Sequence, residues 1–214
     1  MRTERAKRIA VVGSAANPVT KAHREFAEVL TESGRFDLIL WLPSGSRLDK
    51  PDLVSSEHRV CMTELAFNEA WRKKQPTKFE IDLREARGAS IPTAILLREF
   101  EQEYPDAEII FATGVDVLVP RPEYGGKCEV LHHWREGESL MKNWTFVVLP
   151  REGYPHPRLL QEKGEIPAHF IVLERTVGDI SSTEIRRRIA HGEPFDDLVD
   201  PPVAEYIRAH KLYQ

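Results

Sequence analysis

The chain has 214 residues, 41% of them hydrophobic, and a formal net charge of −4 at pH 7. This length and composition predict one well-packed domain, residues 1–214, and the negative charge argues against a nucleic-acid-binding protein, in which a basic surface is usual. No apolar run has the length of a membrane span or a signal peptide, and two cysteines do not make a disulfide framework. We therefore expect a cytoplasmic protein that binds neither nucleic acid nor a membrane.

The first predicted element is a buried strand that ends at a glycine. Ile9–Val12 is a continuous apolar run, typical of a parallel sheet that is covered on both faces. After Pro18 the apolar pattern becomes helical, so free backbone amides and the positive end of a helix dipole lie at this turn. The turn therefore predicts a site for a nucleotide phosphate, although an ordinary strand, turn and capped helix has the same pattern. Its candidate residues are Gly13, Ser14, Ala15, Thr20 and His23.

Strands and helices then alternate, which predicts an α/β fold with a parallel sheet. Further strands are expected at residues 37–42, 78–83, 108–112, 145–149 and 169–173. The loops after parallel strands open at one edge of the sheet, where ligands bind. Lys50 follows the second strand and is a candidate to reach phosphate, while Asp116 follows the fourth and can accept hydrogen bonds from ribose hydroxyls. The alternatives are a solvated lysine and a helix cap.

From residue 120 to residue 143 the sequence is irregular and rich in proline, glycine and charge. We interpret this stretch as a lid or rim insertion, because long loops without secondary structure are often functional. Cys128 and the histidine pair that follows it are possible metal ligands. Zinc sites need four ligands at familiar spacings, however, so we predict no metal there.

A second anion-binding helix start is predicted near residue 180. In the stretch ISSTEIRRRIAHGE, Ser181 and Glu184 form a capping box, and Gly192 terminates the helix. The first-turn amides, together with Arg186, can bind phosphate oxygens. A capped surface helix with solvated arginines is the alternative interpretation. Residues 180–214 form the predicted C-terminal helical segment.

Together, the two stretches resemble the nicotinate/nicotinamide mononucleotide adenylyltransferases of the nucleotidyltransferase superfamily. Residues 20–23, TKAH, follow Asn17-Pro18 and are similar to the signature [T/H]-x-G-H, and Ile180–Arg186 is similar to ISSTxIR. The resemblance implies a Rossmann-like, doubly wound parallel sheet of the nucleotidyltransferase type with a small C-terminal helical tail. Two positions depart from the pattern, since Ala16 replaces an aromatic residue and Ala22 replaces a glycine.

The resemblance implies an enzyme of NAD biosynthesis that joins ATP to nicotinic acid mononucleotide, or to its amide, and releases pyrophosphate. It also implies Mg²⁺ bound with ATP. The implied ATP-binding residues are Gly13, Ser14, Ala15, Thr20, His23, Gly114, Asp116, Ile180, Ser182, Thr183 and Arg186. The implied mononucleotide-binding residues are Lys50, Arg59, Ser90, Thr93, Trp134 and Arg151. The catalytic residues are predicted to be Thr20, His23, Lys50 and Arg186. Trp134 is expected to stack on the pyridine ring, with Trp144 as the alternative.

Two other functions fit part of the pattern. Phosphopantetheine adenylyltransferase also carries T-x-G-H, but it usually lacks the R-x-G-Y segment that begins here at Arg151. A nucleotide-binding sensor that has lost turnover is favoured by Ala16 and Ala22. Among the mononucleotides, the resemblance favours the nicotinate form, and Arg87 is a candidate to bind its carboxylate. The sequence is compatible with a homo-oligomer.

Overall fold

The computed structural model describes residues 7–46 and 52–214. Within these residues, six parallel strands form one sheet in the order β3-β2-β1-β4-β5-β6. The strands are β1 (Lys7–Ser14), β2 (Leu38–Pro43), β3 (Lys78–Ile81), β4 (Ala107–Gly114), β5 (Phe146–Leu149) and β6 (Ile171–Val172). This order confirms the predicted doubly wound α/β sheet, in which the chain adds strands first on one side of β1 and then on the other.

Helices connect the strands and cover the sheet. They are α1 (Lys21–Glu32), α2 (Ser56–Ala66), α3 (Glu69–Arg72), α4 (Thr93–Glu103), α5 (Glu129–His133), α6 (Gly137–Asn143), α7 (Pro157–Glu162), α8 (Ser182–Ala190) and α9 (Pro201–Ala209). Two 3₁₀ turns span Val115–Val117 and Pro122–Tyr124. No helix in residues 7–46 or 52–214 is long and apolar enough to cross a membrane.

The strands are apolar throughout because both faces of the sheet are buried. On β1, Ala10 and Val12 contribute to a first core layer with α1, α2, α8 and α9, whereas Ile9 and Val11 contribute to a second core layer with α4 to α7. Successive side chains of a strand point to opposite faces, so this alternation divides a continuous apolar run between two layers.

The stretch predicted to be an irregular lid or rim insertion contains regular structure. Residues 120–143 include one 3₁₀ turn, α5 and α6. Cys128, Val130 and Leu140 are buried in the second core layer. Short helices have too few turns for a 3.6-residue period to be visible, which is why the pattern looked irregular. A role for this stretch as a lid stays a prediction.

Candidate active site

A cavity of about 210 Å³ opens at the carboxyl edge of the sheet, where β1 and β4 end side by side. After β1 the chain continues toward one side of the sheet, and after β4 it continues toward the other. The two loops therefore diverge and leave a crevice for a ligand between them. Several of the predicted site residues line this cavity. They are Gly13, Ser14, His23, Gly114, Asp116, Arg151 and Ile180.

The start of α1 fixes the orientation and charge of His23. Thr20 Oγ1 accepts a hydrogen bond from the His23 backbone N–H at 3.2 Å, and the Thr20 N–H donates to His23 Nδ1 at 3.1 Å. Because Nδ1 is an acceptor, the neutral ring carries its proton on Nε2. Burial, assisted by the positive charge of Arg151, lowers the pKa of His23 from 6.5 to about 4. At neutral pH, His23 is therefore an uncharged donor at the cavity.

The two sequence motifs touch each other beside this cavity. Ser182 Oγ donates to the Pro18 carbonyl at 2.8 Å, and Arg186 Nη1 donates to the Asn17 carbonyl at 2.8 Å. Arg186 Nη2 also donates to Thr183 Oγ1 at 3.3 Å. The N-terminus of α8 is thus held against the loop that follows β1.

Asp116 and Arg151 form an ion pair in the lining of the cavity. Arg151 Nη1 lies 3.1 Å from Asp116 Oδ2, and Nη2 lies 3.1 Å from Asp179 Oδ1. A Cβ at Gly114 would lie 2.4 Å from Asp116 Oδ1, so a larger residue here would displace the Asp116 carboxylate. Asp116 belongs to the 3₁₀ turn Val115–Val117 and does not cap it. The sequence predicted Arg151 on the mononucleotide side, whereas the structure places it in the same cavity as the predicted ATP-binding residues.

Arg59 lies beneath the site and not within it. Its side chain is buried, with 1% of the residue exposed. The guanidinium donates to four backbone carbonyls, those of Ala15, Ser44, Gly45 and Val54. Arg59 therefore ties the loop after β1 to the loop after β2, and the predicted direct contact with a mononucleotide is corrected to a supporting role. The carbonyl of Ala15, a predicted ATP-binding residue, already accepts a hydrogen bond from Arg59 Nη1 at 3.1 Å.

The structure separates the two candidate stacking tryptophans: Trp144 is buried in the core, whereas stacking by the half-buried Trp134 stays a prediction. Trp134 packs edge-on against Phe111, with ring centroids 5.6 Å apart, and Trp144 is buried in the same second core layer. Trp134 Nε1 donates to Glu129 Oε1 at 3.4 Å. Both rings thus contact the core beneath α5 and α6, and part of the Trp134 ring stays exposed.

The remaining predicted mononucleotide residues lie on the loop between β3 and α4, at the start of α4, or outside the described residues. Ser90 Oγ donates to Glu85 Oε1 at 3.4 Å, and Ser90 N–H donates to the Ser46 carbonyl at 3.0 Å. Thr93 is the first residue of α4. Lys50 falls outside the described residues. The loops after β2 and β3 are therefore in contact at the carboxyl edge of the sheet.

Trp41 is a cavity residue that sequence reasoning missed. It lies on β2, its ring packs edge-on to His23 at 5.9 Å, and it lines the cavity. Its Nε1 is buried without a hydrogen-bond partner. The sequence could have indicated this location, because Trp41 follows Ile39 by two residues in a strand and the two side chains therefore lie on the same face of the sheet.

Across residues 7–46 and 52–214, no group of three or more His, Cys, Asp or Glu side chains is arranged to hold a metal ion. Cys128 is buried in the core, and the His132 ring stacks on Tyr124 with centroids 4.7 Å apart.

Comparison with known proteins identifies the family. A cytidylyltransferase-like family profile matches residues 11–188. A relative from Synechococcus sp. (strain JA-2-3B'a(2-13)) is 31% identical over 212 residues, covering 97% of both chains. A relative from Clavibacter michiganensis subsp. michiganensis (strain NCPPB 382) is 29% identical over 207 residues, covering 97% of this chain and 94% of its own. Both bear the name "Probable nicotinate-nucleotide adenylyltransferase".

Solved structures share the fold. A Plasmodium falciparum nicotinic acid mononucleotide adenylyltransferase complexed with NaAD superposes with a TM-score of 0.76 at 20% identity, covering 97% of each chain. The same enzyme complexed with APC superposes with a TM-score of 0.74. The chain therefore belongs to the cytidylyltransferase-like family and is a nucleotidyltransferase of the nicotinate-nucleotide adenylyltransferase group, as its two motifs predicted.

Proposed function

We propose that this chain transfers the adenylyl group of ATP to nicotinic acid mononucleotide, giving the dinucleotide and pyrophosphate. The observation that carries the proposal is the contact between the two motifs, in which Ser182 and Arg186 hydrogen-bond to the Pro18 and Asn17 carbonyls. This contact brings two helix N-termini, each suited to bind an anion, to one side of the cavity. The nicotinate acceptor is supported by the names of the relatives.

In the proposed reaction, a phosphate oxygen of the mononucleotide attacks the α-phosphorus of ATP. A new P–O bond forms, the bond to the oxygen that bridges the α- and β-phosphates breaks, and pyrophosphate leaves with that electron pair. The attacking phosphate is already ionised at pH 7, so no general base is needed. His23 Nε2–H donates to a phosphate oxygen near the reacting centre, while Arg186 and the α8 amides bind the leaving pyrophosphate.

The rest of the cavity suits a nucleoside. Asp116 is proposed to accept hydrogen bonds from ribose hydroxyls, in competition with its ion pair to Arg151. The apolar wall includes Ala22 and Phe26, which are available to an adenine ring. Ala22 lines the cavity at the position where the resembled signature [T/H]-x-G-H has glycine, and this departure motivates the alternative of a sensor that binds ATP without turnover.

Mg²⁺ is proposed to enter together with ATP. The described residues offer no cluster of three metal-ligating side chains, so the donors would be chiefly phosphate oxygens and water, which suits this cation. When bound, it would neutralise charge on the phosphates. Asp116 and Asp179 are the carboxylates paired with Arg151 at the cavity, and either could bind a water ligand of the metal.

The test is pyrophosphate release with ATP, Mg²⁺ and a panel of acceptors: nicotinic acid mononucleotide, its amide and phosphopantetheine. We expect the highest kcat/KM with the nicotinate form. Turnover with phosphopantetheine alone would instead identify the second adenylyltransferase, and ATP binding without turnover would identify the sensor. Arg186→Ala should weaken ATP binding and slow turnover, whereas Arg187→Ala is the matched control, since Arg187 is exposed and pairs with Glu184 and Glu193 on the same helix.

We also propose a cytoplasmic location, in line with the free thiols of Cys61 and Cys128. A homo-oligomer stays a prediction that light scattering would test.

A further inference from the structure

Asn17 joins several segments at the edge of the candidate site, and its residue is only 3% exposed. Its backbone carbonyl accepts from Arg186. Its side-chain Oδ1 accepts from the Tyr213 hydroxyl at 2.9 Å and from the Val54 N–H at 3.3 Å, while Nδ2 donates to the Asp52 carbonyl at 3.4 Å. The conformation of Asn17 is thus coupled to residues far away in the sequence.

Tyr213 reaches Asn17 from the segment that follows α9. Lys211 and Tyr213 have φ angles of 51° and 66°, which L residues adopt rarely, and the buried Leu212 lies between them. The Tyr213 ring packs against the first core layer. Burial raises the pKa of the Tyr213 hydroxyl, with Arg186 and Arg59 acting in the opposite direction, so the hydroxyl keeps its proton and donates it to Asn17.

We infer that Tyr213 is a positioning residue for the phosphate-binding side of the active site, acting through Asn17 on Arg186. The Tyr213 hydroxyl holds the Asn17 side chain, and the Asn17 backbone carbonyl then holds the Arg186 guanidinium at the N-terminus of α8. A guanidinium that is oriented before ATP binds loses less conformational freedom on binding. The inference rests on the proposed function only for the role given to Arg186.

The test is Tyr213→Phe, which removes the hydroxyl and keeps the ring. We expect the KM and the dissociation constant for ATP to rise about 3- to 10-fold, the range for loss of one hydrogen bond, with a smaller change in kcat. Tyr206→Phe is the matched control. Tyr206 lies on α9, and its hydroxyl contacts His58 Nδ1 at 3.0 Å, so its loss should change neither ATP constant.

A double-mutant comparison separates positioning from a general contribution to stability. In an Arg186→Ala background, Tyr213→Phe should leave the dissociation constant of ATP within about 1.5-fold, because the group on which Tyr213 acts is absent. Equal weakening in both backgrounds, or unchanged ATP binding by the single variant, would overturn the inference. Thermal unfolding of each variant sets a common assay temperature below all of the transitions.

ATP affinity is measured by titration calorimetry without an acceptor. If the wild-type chain turned over none of the acceptors, the proposed function would fail, yet the ATP titrations would still decide whether Tyr213 positions Arg186.

Discussion

His23→Ala should reduce turnover by about 100-fold while the variant remains folded. His23 can act on a ligand only as a hydrogen-bond donor through Nε2–H, because Nδ1 already accepts from the Thr20 N–H. A hydrogen bond to a charged group is worth about 1.5–3 kcal/mol, and donors to developing negative charge contribute about 10²- to 10³-fold in rate. Single-turnover measurement of pyrophosphate release tests the expected loss directly.

The same residue predicts a dependence of stability on pH. The pKa of His23 is 6.5 when exposed and about 4 in the folded chain, so between these values the unfolded state binds more protons. The free energy of unfolding therefore decreases as the pH falls through this window, by at most about 3 kcal/mol at 1.36 kcal/mol per pH unit. His23→Asn lacks this contribution, and urea unfolding of both proteins at pH 7 and pH 4.5 should show a steeper loss for the wild type.

His132→Ala is the control for turnover, since His132 is exposed on α5 and stacks on Tyr124. It should leave turnover unchanged. Near-normal turnover in folded His23→Ala would refute the role of the donor. A wild-type kinetic pH profile with a limb near pH 6.5 that is absent from His23→Ala would refute the lowered pKa of the ring.

Three further substitutions test other parts of the site. Asp116→Asn should weaken ATP binding about 10-fold through loss of a charged acceptor for ribose, and unchanged affinity by calorimetry would contradict this. Arg59→Met should lower the free energy of unfolding by about 3 kcal/mol or more, because it leaves buried carbonyls without donors; a change below about 0.5 kcal/mol in urea unfolding would rule this out. Trp134→Ala should cost about 2–3 kcal/mol of stability through lost contact with Phe111 and should raise the KM for the mononucleotide through loss of stacking; an unchanged KM would remove the ring from the acceptor site.

The sheet and the phosphate-binding edge could be predicted from the sequence because both depend on local signals. Continuous apolar runs are typical of strands covered on two faces, and the run Ile9–Val12 before a glycine predicted the end of β1 to within two residues, since the strand continues to Ser14. The N-cap at Ser181, which accepts from the Glu184 N–H at 3.1 Å, follows from the same kind of short-range chemistry. Since parallel strands share one edge, two such helix starts were expected to meet there, and they do.

Residues whose partners are distant in the sequence could not be predicted in the same way. Tyr213 and Asn17 are 196 positions apart, and no spacing rule connects a tyrosine at one end with an asparagine at the other. Trp134 was assigned to the acceptor ring from its resemblance to a tryptophan of the family, and the sequence does not show how much of the ring is exposed. Whether such a ring is exposed depends on the neighbouring α5 and α6, which have too few turns to produce a clear period.

Two of the three arginines of the predicted site, Arg59 and Arg186, show what decides between binding a ligand and supporting the fold. A guanidinium has five N–H donors, and its residue type does not indicate where they point. Arg59 lies on α2, and its guanidinium donates to four backbone carbonyls, so few N–H groups are left for a substrate. Its side chain is also buried, which prevents direct contact with a substrate. Arg186 is only partly buried and uses one donor on the Asn17 carbonyl and another on Thr183, so it retains donors and access. Substituting Arg59 should therefore affect stability first and both substrates together, whereas substituting Arg186 should affect ATP selectively.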